Sequence, residues 1–190
     1  MLPDALLKYW NATYAGVPFV PHRLRSAHGQ RWLRVHSLPR GKRYAETQDE
    51  YVEILRRQNT VIDDLIGVGH PYELVFGYFG EERDLPRAVV AALGRLHAAP
   101  LLTLAPEQSG KEKAFPLFAA SPTWMTRQLD VVLRAVADDL LETPLLVGVE
   151  RGCVIAPYDG GMDIFVANES KRDELRERYA GWLPAHSSVL

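Results

Sequence analysis

The residues with the most capacity for chemistry are Arg34 and His36 in one stretch, Arg43 in the basic run after it, and Tyr158, Asp159 and Asp163 near the C-terminus. Arginine, histidine and carboxylate together can hold an anionic group and move a proton. In Arg31-Trp32-Leu33-Arg34-Val35-His36-Ser37 the period-2 pattern predicts a strand. Leu33 and Val35 fall on one face, and Trp32, Arg34 and His36 on the other. An arginine on a half-buried face has lost solvation that a carboxylate, carbonyl or water must replace, and Asp163, on the polar side of its own strand, is the first partner expected for Arg34. The plainer reading assigns Asp159 to a turn, Asp163 to charge pairing, and Arg40, Lys42 and Arg43 to a solvated loop. Asp159 and Asp163 alone supply too few oxygen ligands for a metal. No metal and no cofactor is expected.

Other chemistry is sparse. The chain has no glycine-rich phosphate loop, no metal-spaced Cys/His cluster, no Gly-x-Ser-x-Gly elbow and no His-Glu-x-x-His. His22, His28, His70 and His97 fall in expected loops or helix ends, where a surface or hydrogen-bonded histidine is the usual finding. A net charge of −2 argues against a generally basic surface, so nucleic acid is not an expected partner. The single cysteine, Cys153, permits no intrachain disulfide and lies in an apolar stretch that suits an inert buried thiol. There is no apolar run of about 18 residues, so no membrane helix is expected. Asp4 stands where a signal peptide would carry positive charge, which makes the cytoplasm the expected compartment.

These residues must be positioned by an α+β fold, and the densest local signal lies between Leu145 and Val166. Leu145 to Val149, Cys153 to Ala156 and Met162 to Val166 read as three short strands. Asp159-Gly160-Gly161 supplies the reversal between the last two, with at least one glycine expected at positive φ. The result is a three-stranded antiparallel meander.

Upstream, Leu6, Leu7, Trp10 and Tyr14 form a helical stripe, and Val17 to Gly29 reads as an irregular connection. Thr47-Gln48-Asp49-Glu50 is a capping box ahead of a helix to about Ile66. Tyr72 to Phe79 predicts a strand, Leu85 to Leu96 a helix, and Pro100 to Lys113 a loop. Ala114 to Ala120 predicts a strand that Pro116 would place at an edge. A helix with Leu129, Val132, Leu133, Val136 and Leu140 inward leads into the meander. A last helix, capped by Ser170, docks through Leu175, Tyr179 and Trp182. The whole, residues 1–190, is expected to be one domain, a mixed and largely antiparallel sheet of about six strands with helices packed on it.

Two stretches resemble an uncharacterised bacterial family catalogued only as a domain of unknown function. One runs from Trp32-Leu33-Arg34-Val35-His36-Ser37-Leu38-Pro39 through Lys42-Arg43-Tyr44 to Arg56-Arg57-Gln58-Asn59-Thr60-Val61. The other is Ala156-Pro157-Tyr158-Asp159-Gly160-Gly161-Met162-Asp163, continuing to Tyr179 and Gly181-Trp182-Leu183. Gln58 stands where the resemblance leads one to expect a histidine, so no catalytic histidine is assigned there. The resemblance implies a soluble bacterial protein and supplies no mechanism.

Two function classes follow. The first is a non-catalytic binding protein acting on another intracellular protein, of the immunity or partner type. The alternative is a small enzyme or ligand-binding domain that uses the Arg/His/Asp cluster to hold an anionic group. A flat surface with exposed aromatics would favour the first, and a deep polar pocket at the cluster the second.

Overall fold

A computed structural model describes residues 3–77, 85–142 and 144–184 of the chain. Its centre is a seven-stranded sheet in the order β1-β7-β6-β5-β2-β4-β3, in which every neighbouring pair is antiparallel. The strands are β1 (Trp32–His36), β2 (Glu73–Gly77), β3 (Ala99–Leu104), β4 (Phe115–Ala120), β5 (Leu145–Gly148), β6 (Cys153–Tyr158) and β7 (Gly161–Phe165). The fold class is α+β as expected. The sheet has seven strands rather than six, and no parallel pair occurs among the described residues.

The extra strand is β3, in a stretch read as loop. Its residues are mostly exposed and only Leu104 is buried, so the alternation that marks a half-buried strand is missing. β3 covers β4, which is therefore not the edge that Pro116 suggested. The β2–β4 ladder runs from Leu74 opposite Ala120 to Gly77 opposite Leu117, and Pro116 lies just beyond it, where a missing N–H breaks no bond to β2.

Both sheet faces carry helices. On one, α3 (Gln48–Leu65), α4 (Arg87–Gly94), α6 (Asp130–Ala137) and α7 (Glu169–Arg178) pack over Leu33, Val35, Leu74, Ile155, Met162 and Ile164. On the other, α1 (Pro3–Thr13) and α2 (Pro21–His28) pack over Val147, Val154 and Phe165 through Leu6, Trp10 and Leu24. A single-turn helix, α5 (Pro106–Ser109), follows β3. Among the described residues, no helix is long and apolar enough to cross a membrane.

Local chemistry explains most of these boundaries. At the start of α3, Thr47 Oγ1 accepts from the Glu50 backbone N–H at 3.3 Å, and the Glu50 carboxylate accepts from the Thr47 N–H at 3.3 Å. The capping box thus satisfies two N–H groups that the helix itself leaves unpaired. The cap of α7 is Asn168, whose side chain accepts from Lys171 N–H at 2.9 Å, and not Ser170 as expected. α6 ends at Ala137, and the left-handed Asp139 that follows turns Leu140 outward, to 52 % exposure, against the expectation of a core position.

α2 is the larger surprise, because the sequence reads as an irregular connection there. Pro21 occupies the first turn, where no N–H is required of it, and Leu24 is the one buried residue of the helix. One buried side chain in eight residues leaves almost no periodic signal.

A hydrogen bond from Arg57 fastens α3 to the sheet. Arg57 is buried; it donates to Glu53 at 2.6 Å and to the His36 carbonyl at 3.1 Å. Hydrogen bonds from Arg56, opposed by burial and reinforced by Arg57, pull the Glu53 carboxyl down to about 2 from an ordinary value of 4.5. Because the folded value lies below the unfolded one, the stabilisation is complete above pH 4.5 and is lost as pH falls toward 2. Urea midpoints measured through that window should fall less steeply for Glu53→Gln than for the parent; parallel profiles would show that Glu53 contributes nothing.

Candidate functional site

The site is built where β1 meets β7. Arg34 and Asp163 are directly opposed in the antiparallel register, so both side chains leave the same face of the sheet. Arg34 Nε and a terminal nitrogen donate to the two oxygens of Asp163 at 2.8 and 3.1 Å, a bidentate fork. Burial disfavours the Arg34 charge, but the hydrogen bonds and charge of Asp163 overcome it and raise the guanidinium pKa. The same guanidinium stacks 5.3 Å from the Trp32 ring and 5.0 Å from that of Tyr158.

Asp163→Ala would leave Arg34, whose side chain is 28 % exposed, without its counterion. The partial exposure lets water screen the orphaned charge, so we expect a loss of about 2 kcal/mol, below the 3–5 typical of a fully buried pair. A urea midpoint unchanged from the parent would contradict this.

Next to the pair, α2 and the connection leading into it leave a cleft of about 400 Å³, in the size range of small-molecule sites. Its floor is apolar: Val75, Leu117, Leu145 and Ala156, from four adjacent strands. Phe19 and Val20 form a wall, and the polar lining includes His22 and Arg25 of α2, Arg34, Ser109, Lys111, Tyr158, Asp163 and Glu142. Lys111 is bound to Glu142 at 2.7 Å. Arg25 makes no ion pair among the described residues; its guanidinium lies 5.6 Å from the Trp32 ring. Burial, then the charges of Arg23, Arg25 and Lys111, lower the His22 pKa. Burial pushes the Tyr158 hydroxyl up to about 12, so it stays a protonated donor at neutral pH.

The six residues singled out from sequence therefore divide. Arg34, Tyr158 and Asp163 line the cleft. His36, Arg43 and Asp159 lie outside its lining, around the turn after β6. The His36 ring rests against the Pro39–Gly41 turn, where a Cβ on Gly41 would come within 3.5 Å of Nε2, and burial lowers its pKa, with Arg34 and Arg57 adding to the effect. Arg43 donates to the buried Asp159 carboxylate at 2.6 Å, and Lys42 to Glu50 at 2.7 Å, so the basic loop is tied down at two points rather than simply solvated. Gln58 is fully buried on α3, against the other sheet face, with its amide donating to Ser37 Oγ at 3.1 Å.

Sequence reasoning missed His22, Arg25 and Lys111. The first two were hidden with α2, although Pro21 in a first-turn position was the available signal. Lys111 sits in the stretch read as loop, and nothing local links it to the cluster. Among the described residues, no group of three or more His, Cys, Asp or Glu side chains is placed to hold a metal ion.

The fold and the cleft define an α+β domain in which helices clasp both faces of an open antiparallel sheet and a basic, apolar-floored cavity opens on one of them. The chain belongs to the family described as domain of unknown function DUF3885, which matches residues 20–187. No curated protein and no solved structure matches it.

Proposed function

We propose that this is a ligand-binding domain that holds a small anionic molecule in the cleft beside Arg34. The observation that carries the reading is Arg25, a guanidinium at the cleft with no carboxylate partner among the described residues, beside a second guanidinium whose fork is already fixed by Asp163. A fixed Arg34 and a free Arg25 together form a preorganised electropositive wall, and the Tyr158 hydroxyl adds a neutral donor. The alternative, a protein that masks another intracellular protein, has less support. Among the described residues the one exposed large aromatic is Tyr44, with the Arg43 guanidinium 5.1 Å from its ring. For the compartment we propose the cytoplasm, a reading supported by a single, buried cysteine.

A thermal-shift panel of small carboxylates and phosphates tests the proposal. At 100 times its dissociation constant a ligand adds about 2.7 kcal/mol to stability, enough to raise Tm by several degrees. At least one anion should do so for the parent protein and lose most of the effect in Arg25→Gln. No shift across the panel would end the reading.

A further inference from the structure

The proposed anion site rests against an apolar floor, and that combination narrows the ligand. We infer that the cleft takes an amphipathic organic anion: a carboxylate or phosphate head at Arg25 and Arg34, and a hydrocarbon body along the sheet. This inference rests on the anion-binding reading above and deepens it.

The charged groups are grouped rather than dispersed. His22 and Arg25 come from adjacent turns of α2, and Arg34 projects from β1 on the sheet face that α2 covers. Asp163 already occupies Nε and one terminal nitrogen of Arg34, leaving the other terminal nitrogen of the fork, together with all of Arg25, to meet an incoming oxyanion. Glu142 is engaged by Lys111 at 2.7 Å, so the two acids of the cleft each have a cation and neither faces a ligand anion unneutralised.

Away from the arginines the character changes. Val75, Leu117, Leu145 and Ala156 present hydrocarbon only, with Phe19 and Phe115 at the sides. A sugar or a nucleotide body lying on those four side chains would lose water from its hydroxyls without a hydrogen-bond partner on the floor, whereas an alkyl or aryl body would gain from the same desolvation. Ala156 also stands where the neighbouring positions carry larger side chains, and its small size leaves the depth of the cleft open beside Tyr158.

Isothermal titration of the full chain with acetate, butyrate, hexanoate and octanoate, beside butyl phosphate, a hexose phosphate and inorganic phosphate, tests this. Affinity should rise about fourfold for each added methylene until the cleft is filled. Arg25→Gln should weaken every bound member about tenfold, the loss of a charge-assisted hydrogen bond, while its urea midpoint stays that of the parent. If hexose phosphate and inorganic phosphate bind and chain length has no effect, the amphipathic ligand is wrong and the anion site stands. If none of the probes binds, both readings fall. Chain-length dependence that survives unchanged in Arg25→Gln would place the binding elsewhere and overturn the assignment of the head group.

Discussion

Gly161→Ala is expected to be the most damaging glycine-to-alanine change among the described residues. A Cβ at that position would lie 2.1 Å from the backbone oxygen of Val35, far inside van der Waals contact. Gly161 is paired with His36 at the end of the β1–β7 ladder, and Ser37 N–H donates to the Gly160 carbonyl at 3.1 Å just beyond it. The obstructing atom is therefore backbone, held in register by the β1–β7 ladder, and no rotamer change relieves it. We expect a loss of about 4–5 kcal/mol, at the upper end of single-residue effects. Because β1 carries Arg34, the variant should also lose any ligand response.

Gly160→Ala is the control. Its Cβ would meet the edge of the Tyr158 ring at 3.2 Å, which a small ring movement accommodates. Neither glycine has positive φ, contrary to the expectation from Asp159-Gly160-Gly161; in the meander the left-handed glycine is Gly152, between β5 and β6, at φ 63°. The two alanine variants should thus differ by several kcal/mol in urea denaturation. Equal midpoints would remove the steric argument.

The second large effect is expected at Trp124, which is fully buried. Its ring packs edge-on to Tyr72 with centroids 5.9 Å apart, and its Nε1 donates to Asp63 on α3 at 2.6 Å. Its backbone N–H donates to the His70 carbonyl and its carbonyl accepts from Gly69 N–H, each at 2.8 Å. One residue therefore joins the end of α3, the turn into β2 and the approach to α6. Trp124→Ala should cost about 3–5 kcal/mol, the usual range for deleting a large aromatic from a closed core. Trp124→Phe keeps most of the packing and loses the hydrogen bond, and Thr126 still donates to Asp63 at 2.9 Å, so about 1–2 kcal/mol is expected. A Trp124→Ala midpoint near that of the parent would refute the closed-core assignment. Trp182, by contrast, is only half-buried: it stacks on Tyr179 at 5.2 Å beneath Arg56 and Arg57, so its removal should cost less than that of Trp124.

Much of the framework is legible in the sequence because it is encoded locally. Thr47 and Glu50 sit three residues apart and announce α3 whatever surrounds them. The meander from Leu145 is written in adjacent apolar runs, and its pairing needs only short turns. The face pattern of Trp32, Arg34 and His36 is equally local, and a charge on a half-buried face carries its own demand for a partner. That demand, with the alternation around Asp163, was enough to pair two residues 129 positions apart.

What tertiary structure alone decided is the cavity. A cleft is the space that helices fail to fill, and no residue encodes it by its own type or spacing. Val75, Leu117, Leu145 and Ala156 become one floor only through the strand order β6-β5-β2-β4, which joins segments far apart in the chain. α2 carries a single buried leucine, so it is held by the sheet rather than by its own pattern, and with it come His22 and Arg25. His36 shows the same limit from the other side. It shares a strand face with Arg34, yet the Pro39–Gly41 turn closes over it and leaves it outside the cleft. Side-chain direction follows from period and chirality, which are local; accessibility depends on what packs above, which is not.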